Sequence, residues 1–231
     1  MNPILIAAIV FSVLYFLLIG YFLVGWLRLK SAKDDAQMPD ESLPFVSIVL
    51  PVRNESEYIA ESIQSILNQN YPQNLFEIIV VDDYSTDPTL RLAREFEKPN
   101  VLIFDLQQYL GNPGEYTANK KKAISLGIKN AKGEVIITTD GDCMRGENWL
   151  CSMVGYYLAH SFKLVTGPVM VKPARTPFAC FQQLDVITLL GITGGSIRNK
   201  APLMCNGSNL LYAKQTFLDI EGFKGNNECR P

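Results

Sequence analysis

The chain carries one histidine, His160, and its five cysteines form no Cys-x-x-Cys pair. A lone histidine argues against a His-built metal site and against a triad base. Cys143, Cys151, Cys180, Cys205 and Cys229 are odd in number and scattered, which argues against a disulfide framework and a structural zinc site. They read as small buried residues of a protein kept in a reducing compartment. Excess positive charge is also missing. The net charge is −2 with no Lys/Arg-rich block, so a nucleic-acid polyanion has no general electrostatic reason to bind. No Gly-x-Gly-x-x-Gly follows the first apolar run, which removes the dinucleotide fingerprint. Finally, residues 2–27 contain no charged side chain at all.

That last absence is a positive signal. At 1.5 Å per residue, a run of roughly 20 apolar residues spans a bilayer core. Tyr21, Phe22 and Trp26 lie toward one end, where an interfacial belt belongs. Arg28, Lys30 and Lys33 follow immediately and nothing basic precedes, so the positive-inside bias predicts an uncleaved single-pass anchor with the remainder cytoplasmic. A cleaved signal would want a basic start, a shorter apolar region and a small-residue cleavage site. The expected organisation is a transmembrane helix over 3–29, a polar linker over 30–44 and one domain over 45–231. With 48% apolar and 19% charged residues, that domain has material for a real core.

Strand and helix patterns alternate after the linker. Apolar runs at 46–50, 76–81, 101–104, 135–139 and 164–171 predict strands. Ile59, Ile63, Ile66 and Leu67 recur at helical spacing, with Asn54 or Ser56 as the expected cap. Thr86-Asp87-Pro88 and Thr117 open further expected helices, and 147–159 and 176–190 read as helical. Short connections between alternating elements predict an α/β fold, a mostly parallel sheet with helices on both faces.

Ligands of such sheets bind beyond the carboxyl ends of the strands. There the sequence places Pro51-Val52-Arg53-Asn54-Glu55, Asp82-Asp83-Tyr84-Ser85-Thr86-Asp87 and Asp140-Gly141-Asp142. Each segment alone is also a turn or a helix start. Gathered on one rim, their carboxylates repel one another unless a cation joins them. Magnesium takes one or two carboxylates together with phosphates, so the joint pattern points to a metal–diphosphate site.

These segments, with Lys120, Ala123, Ile124 and Gly127 on the intervening helix, resemble family 2 glycosyltransferases of the GT-A fold, in the family's order and spacing from about residue 46 to 223. The resemblance implies a nucleotide-diphospho-sugar donor, UDP-linked ahead of GDP-linked. It implies Mg²⁺ or Mn²⁺ and inverting transfer to the hydroxyl of a glycan or lipid acceptor, in the setting of cell-envelope polysaccharide. Carried over, Pro51, Arg53, Glu55, Asp82, Lys120 and Gly141 line the nucleotide-sugar pocket, and Asp83 accepts from the base. Asp140 lies toward ribose and sugar, and Asp142, with Asp140, holds the metal. Asn206, Gly207 and Ser208 fall on the acceptor and sugar side.

Relatives place an acidic motif with the general base shortly after the Gly-Phe that matches Gly222-Phe223. Here Glu228 is the only nearby acid, close to the last residue. The expectation is a domain incomplete at its C-terminus, binding donor but lacking the base. The alternative kept open is a non-catalytic, membrane-anchored interaction module retaining the fold. A phosphate-accepting receiver domain would carry its acidic pair after the first strand, whereas Asp82-Asp83 follows the second.

Overall fold

The computed structural model describes residues 2–29, 43–111, 119–160, 162–172 and 176–224. The chain divides into two compact units, one of Met1–Ser31 with Pro168–Asn206 and one of Ala32–Gly167 with Gly207–Pro231.

The larger unit is built on a six-stranded sheet. Its strands are β1 (Val46–Val52), β2 (Phe76–Asp82), β3 (Val101–Asp105), β4 (Val135–Thr138), β5 (Leu164–Thr166) and β6 (Leu210–Ala213). The spatial order is β3-β2-β1-β4-β6-β5. β1, β2, β3 and β4 run parallel, while β6 is antiparallel to both β4 and β5. Its helices are α2 (Ile59–Leu67), α3 (Thr89–Arg94), α4 (Leu106–Leu110), α5 (Asn119–Asn130), α6 (Trp149–His160) and α8 (Lys214–Asp219), with α1 (Pro3–Leu27) and α7 (Pro177–Arg198) in the other unit.

Every residue of β1 and β2 is buried, as expected of parallel strands covered on both faces. Alternation then sorts their side chains between two cores. Val46, Ile48, Leu50 and Val52 pack with Ile59, Ile63 and Ile66 of α2, Ala93 of α3 and Leu150 and Val154 of α6. Val49, Ile79, Val81 and Ile136 pack with Ala123 and Ile128 of α5 and with Tyr212. Burying each such isoleucine contributes about 1.5–3 kcal/mol relative to leaving it in water.

Two expectations need correction. The strand expected over 164–171 stops at Thr166. Gly167 still donates its N–H to Asn209 O at 2.9 Å, but Pro168 follows and has no N–H to continue the edge. Helix α2 starts at Ile59 with Tyr58 as its N-cap and no side-chain cap bond. Asn54 and Ser56 are engaged elsewhere, as described below.

In the smaller unit, α1 (Pro3–Leu27) and α7 (Pro177–Arg198) are long helices. Asn2 caps α1, its Oδ1 accepting from Ile4 N at 3.0 Å. α1 is long and apolar enough to cross a membrane, and nearly all its side chains are exposed. Its last turns pack on α7, with Asn199 Nδ2 donating to Tyr21 O at 2.8 Å. The approach is so close that a Cβ at Gly195 would lie 2.3 Å from Phe22 O. α7 reaches Arg198, eight residues past the 190 at which the sequence pattern ended it.

Candidate active site

The polar segments at the C-terminal ends of β2, β1 and β4 lie along one edge of the sheet. Register pairs Val52 of β1 with Asp82 of β2 and Val49 with Thr138 of β4, so the three strand ends are neighbours. Pro51 is buried inside β1, opposite Val81.

Two of these ends are clasped together by polar groups. Asn54 N donates to Ser85 Oγ at 3.0 Å, and Thr86 N donates back to Asn54 Oδ1 at 2.8 Å. Glu55 N donates to Thr89 Oγ1 at 2.7 Å, and Ser56 N to Asp87 Oδ2 at 3.2 Å. Asn54 and Tyr84 both sit at φ 56°, the left-handed region that asparagine tolerates and tyrosine seldom enters. Such backbone persists only where surrounding contacts hold it, as the clasp does here. Sequence reasoning missed this role for Asn54, Ser85, Asp87 and Thr89. Its one legible trace was the density of Asn, Ser, Thr and Asp, which favour backbone bonds of this kind.

On the β2 side, Asp82 and Asp83 are buried, and each has an Oδ1 without a partner among the described residues. Asp82 Oδ2 accepts from Ser85 N at 3.0 Å, and Asp83 N donates to Val52 O at 2.8 Å. Burial pushes both carboxyls up. Hydrogen bonds from Ser85 work against that at Asp82, and the Arg53 charge works against it at Asp83. Buried carboxylate oxygens lacking donors are costly, and a donor supplied from outside the described residues would offset that cost.

On the β4 side, each carboxylate oxygen of Asp140 accepts one hydrogen bond. Its Oδ1 accepts from Lys120 Nζ at 2.7 Å and its Oδ2 from Ser208 Oγ at 2.6 Å. Gly141 is packed against β1 so closely that a Cβ would lie 2.7 Å from Val52 Cγ1 and 3.4 Å from Glu55 Cγ. Asp142 is exposed, and its Oδ1 accepts a long contact of 3.5 Å from Cys143 Sγ. Glu55 feels this neighbourhood. Burial raises its carboxyl first, then the charges of Asp142, Asp140 and Asp87, while Lys120 lowers it.

The structure therefore brings Glu55, Lys120, Asp140, Gly141, Asp142 and Ser208 together, with Asp82 and Asp83 alongside at the β2 end and Arg53, just past β1, near Asp83. Gly207 lies in the same unit, its carbonyl accepting from Thr138 Oγ1 at 3.2 Å. Asn206 is counted with the smaller unit, and Glu228 lies outside the described residues.

A second residue missed by sequence reasoning is Arg145. Its Nη1 donates to Ser62 Oγ at 2.9 Å and to Cys143 O, and its Nη2 to Asp140 O at 2.9 Å and to Thr139 Oγ1. The guanidinium carbon lies 5.3 Å from the Trp149 ring centroid. Burial draws its pKa down to about 10, which leaves it charged at neutral pH.

Among the described residues, no group of three or more His, Cys, Asp or Glu forms a self-sufficient cation cage. The donor set instead suits a hard divalent cation shared with phosphate. Asp142 offers an exposed carboxylate in an acidic neighbourhood, and such ions take few carboxylates when phosphates supply the rest.

Comparison with known proteins agrees with this architecture. Glycosyltransferase AglE of Haloferax volcanii is 35% identical over 132 residues, covering 55% of this chain and 40% of the relative. The poly(ribitol-phosphate) beta-N-acetylglucosaminyltransferase TarS of Staphylococcus aureus is 34% identical over 97 residues, covering 42% and 16%. The beta-monoglucosyldiacylglycerol synthase of a Nostoc species is 31% identical over 133 residues, covering 58% and 27%. The chain thus spans well under half the length of these curated relatives. Among solved structures, the Pyrobaculum calidifontis mannosyltransferase PcManGT, in complex with GDP-Man and Mn²⁺, aligns with a TM-score of 0.60 at 20% identity, covering 91% of this chain and 57% of that one. Residues 1–349 of Staphylococcus aureus TarS with UDP-GlcNAc align at 0.52 and 22% identity, covering 76% and 47%. The fold is that of these GT-A transferases, a mostly parallel sheet flanked by helices. The sequence model described as glycosyl transferase family 2 matches residues 47–179, more than half of the chain, and the chain belongs to that family.

Proposed function

We propose that the chain binds a nucleotide-diphospho-sugar across the ends of β2, β1 and β4 and presents the sugar for inverting transfer to an acceptor hydroxyl. One observation carries this reading, the division of labour along the rim. At one end Asp82 and Asp83 each keep a buried oxygen without a donor among the described residues, suited to the N–H groups of a base. At the other, beyond the end of β4, which lies two strand spacings or roughly 10 Å across the sheet from β2, an exposed carboxylate sits in a negative field, suited to a cation and diphosphate. That separation is on the scale of a nucleoside.

In this assignment Asp83 accepts from the base, and Pro51, Arg53, Glu55 and Asp82 line the pocket. Asp140 and Gly141 lie toward ribose and sugar, and Lys120 turns to the diphosphate. Asp142, with Asp140, would hold Mg²⁺ or Mn²⁺, which when bound would supply Lewis-acid stabilisation of charge growing on the departing diphosphate. Asn206, Gly207 and Ser208 belong to the sugar and acceptor side. None of these carboxylates is assigned as the base that takes the acceptor proton, since all serve the donor. A solved neighbour binds GDP-Man and Mn²⁺ and another binds UDP-GlcNAc, which supports a nucleotide-sugar donor without ranking the two bases; the UDP form is placed ahead on the family resemblance alone. Relatives named for poly(ribitol-phosphate) and for glucosyldiacylglycerol support a glycan or lipid acceptor. Residues 3–29 would form the membrane helix, 30–44 a linker and the rest the catalytic domain on the cytoplasmic face, as Arg28 after α1 suggests.

Titration calorimetry with UDP- and GDP-sugars, with and without Mn²⁺, tests the proposal. Metal-enhanced binding of one donor, lost in Asp142→Ala, is the expected result. Absence of binding to every donor in the folded wild-type chain would refute it.

A further inference from the structure

We propose that Arg145 is a positioning residue that sets the backbone of the Asp140-Gly141-Asp142 turn, and through it the metal-dependent part of donor binding. The inference rests on the donor site proposed above and adds a residue outside it.

The turn needs such a device. It follows directly on β4, where the ladder ends at Thr138, so beyond that point the sheet no longer fixes its carbonyls. Its own closing bond, Cys143 N to Asp140 O, is long at 3.4 Å. Asp142 projects into solvent and cannot orient itself by packing.

Arg145 supplies what is missing. A guanidinium carries four Nη hydrogens in one plane, and here each has an acceptor. Nη2 takes Asp140 O and Thr139 Oγ1, and Nη1 takes Cys143 O and Ser62 Oγ. The two carbonyls it bridges are those flanking Gly141 and Asp142. Ser62, fully buried on α2, ties the fork to the core. The Trp149 ring on α6 lies against its flank.

The same ring closes a circuit around Asp140. Trp149 Nε1 donates to Asn209 Oδ1 at 3.0 Å, and the adjacent Ser208 holds the Asp140 carboxylate. Asp140 is thereby gripped by its carbonyl from one side and by its side chain from the other. Lysine cannot replace the fork, because one ammonium nitrogen cannot reach both carbonyls in a planar arrangement. No atom of Arg145 is assigned to donor, cation or acceptor, so its influence is through the turn.

The test compares wild type with Arg145→Lys and Arg145→Ala by two readouts. The first is UDP and GDP affinity with and without Mn²⁺. Both variants are expected to lose about tenfold in the Mn²⁺-dependent affinity while Mn²⁺-free affinity stays within about twofold, since the base contacts are untouched. Millimolar guanidinium is expected to restore Arg145→Ala and not Arg145→Lys. Equal loss with and without Mn²⁺, or no loss in either variant, overturns the proposal. The second readout needs no ligand. Amide exchange at residues 141–143 of the free protein should quicken in Arg145→Lys while that of β1 and β2 is unchanged. Unchanged exchange at the turn overturns the positioning claim even if the wild-type chain binds no nucleotide, an outcome that would separately refute the donor site.

Discussion

Asp87 illustrates how a single carboxylate can be structural inside a chemically suggestive cluster. Burial raises its pKa, but donors from Thr89 and Ser56 outweigh that and hold it at about 2, below the usual 3.8. A depressed folded-state pKa contributes stability that is fully present above the unfolded value and lost as pH falls through the folded one. Asp87→Asn is therefore expected to be less stable than wild type at pH 7, with the gap closing between about pH 4 and pH 2. Urea midpoints across that range check it. Gly141 sits at the opposite limit, where no atom can be added. Gly141→Ala would press on the buried Val52 and on the Glu55 stem, at a cost of about 1–3 kcal/mol in urea unfolding. Both acidic segments stood out in the sequence through their joint placement at strand ends, since each alone also reads as a turn or a helix start. Arg145 was not, because an isolated arginine after a turn reads as solvated until its four acceptors are seen.

At the scale of elements, the clasp between the β1 and β2 ends decides where Glu55 and Asp83 stand. Asn54 serves it twice, by its left-handed backbone and by its side-chain acceptor. Asn54→Ala loses the bond and adds left-handed strain of about 1–2 kcal/mol, whereas Asn54→Gly loses only the bond. The glycine variant should melt higher than the alanine variant, and calorimetric Tm values give the order. The helix pair offers a second case. Gly195→Val would collide with the Phe22 backbone, and the detergent-solubilised chain is expected to melt several degrees lower than wild type.

The strands that were easiest to read were those buried on both faces, β1 and β2, where the mostly apolar runs at 46–50 and 76–81 cover all but the last two residues of β1 and the last residue of β2. Sequence pattern served worse at the margins. β5 is an edge strand cut short by Pro168, and its apolar continuation at Val169, Met170 and Val171 carries no ladder. α7 continues through Gly194-Gly195, which look like a terminus in sequence and are instead the place where α1 approaches. The α2 cap failed for a related reason, since Asn54 and Ser56 are bound to another strand end through contacts more than thirty residues away in sequence.

At the scale of the whole molecule, family membership and fold rest on residues 47–179 and on the sheet, while the donor site rests on how three strand ends share one edge. The central claim is that one ligand touches both ends of that rim. Crystals grown with Mn²⁺ and a nucleoside diphosphate, measured for manganese anomalous scattering, address it most directly. The account predicts a single manganese peak at bonding distance from an Asp142 carboxylate oxygen, with the base of the same nucleotide within hydrogen-bond reach of Asp83 Oδ1. A nucleotide seated elsewhere on the protein, or a manganese peak remote from Asp142, would contradict it.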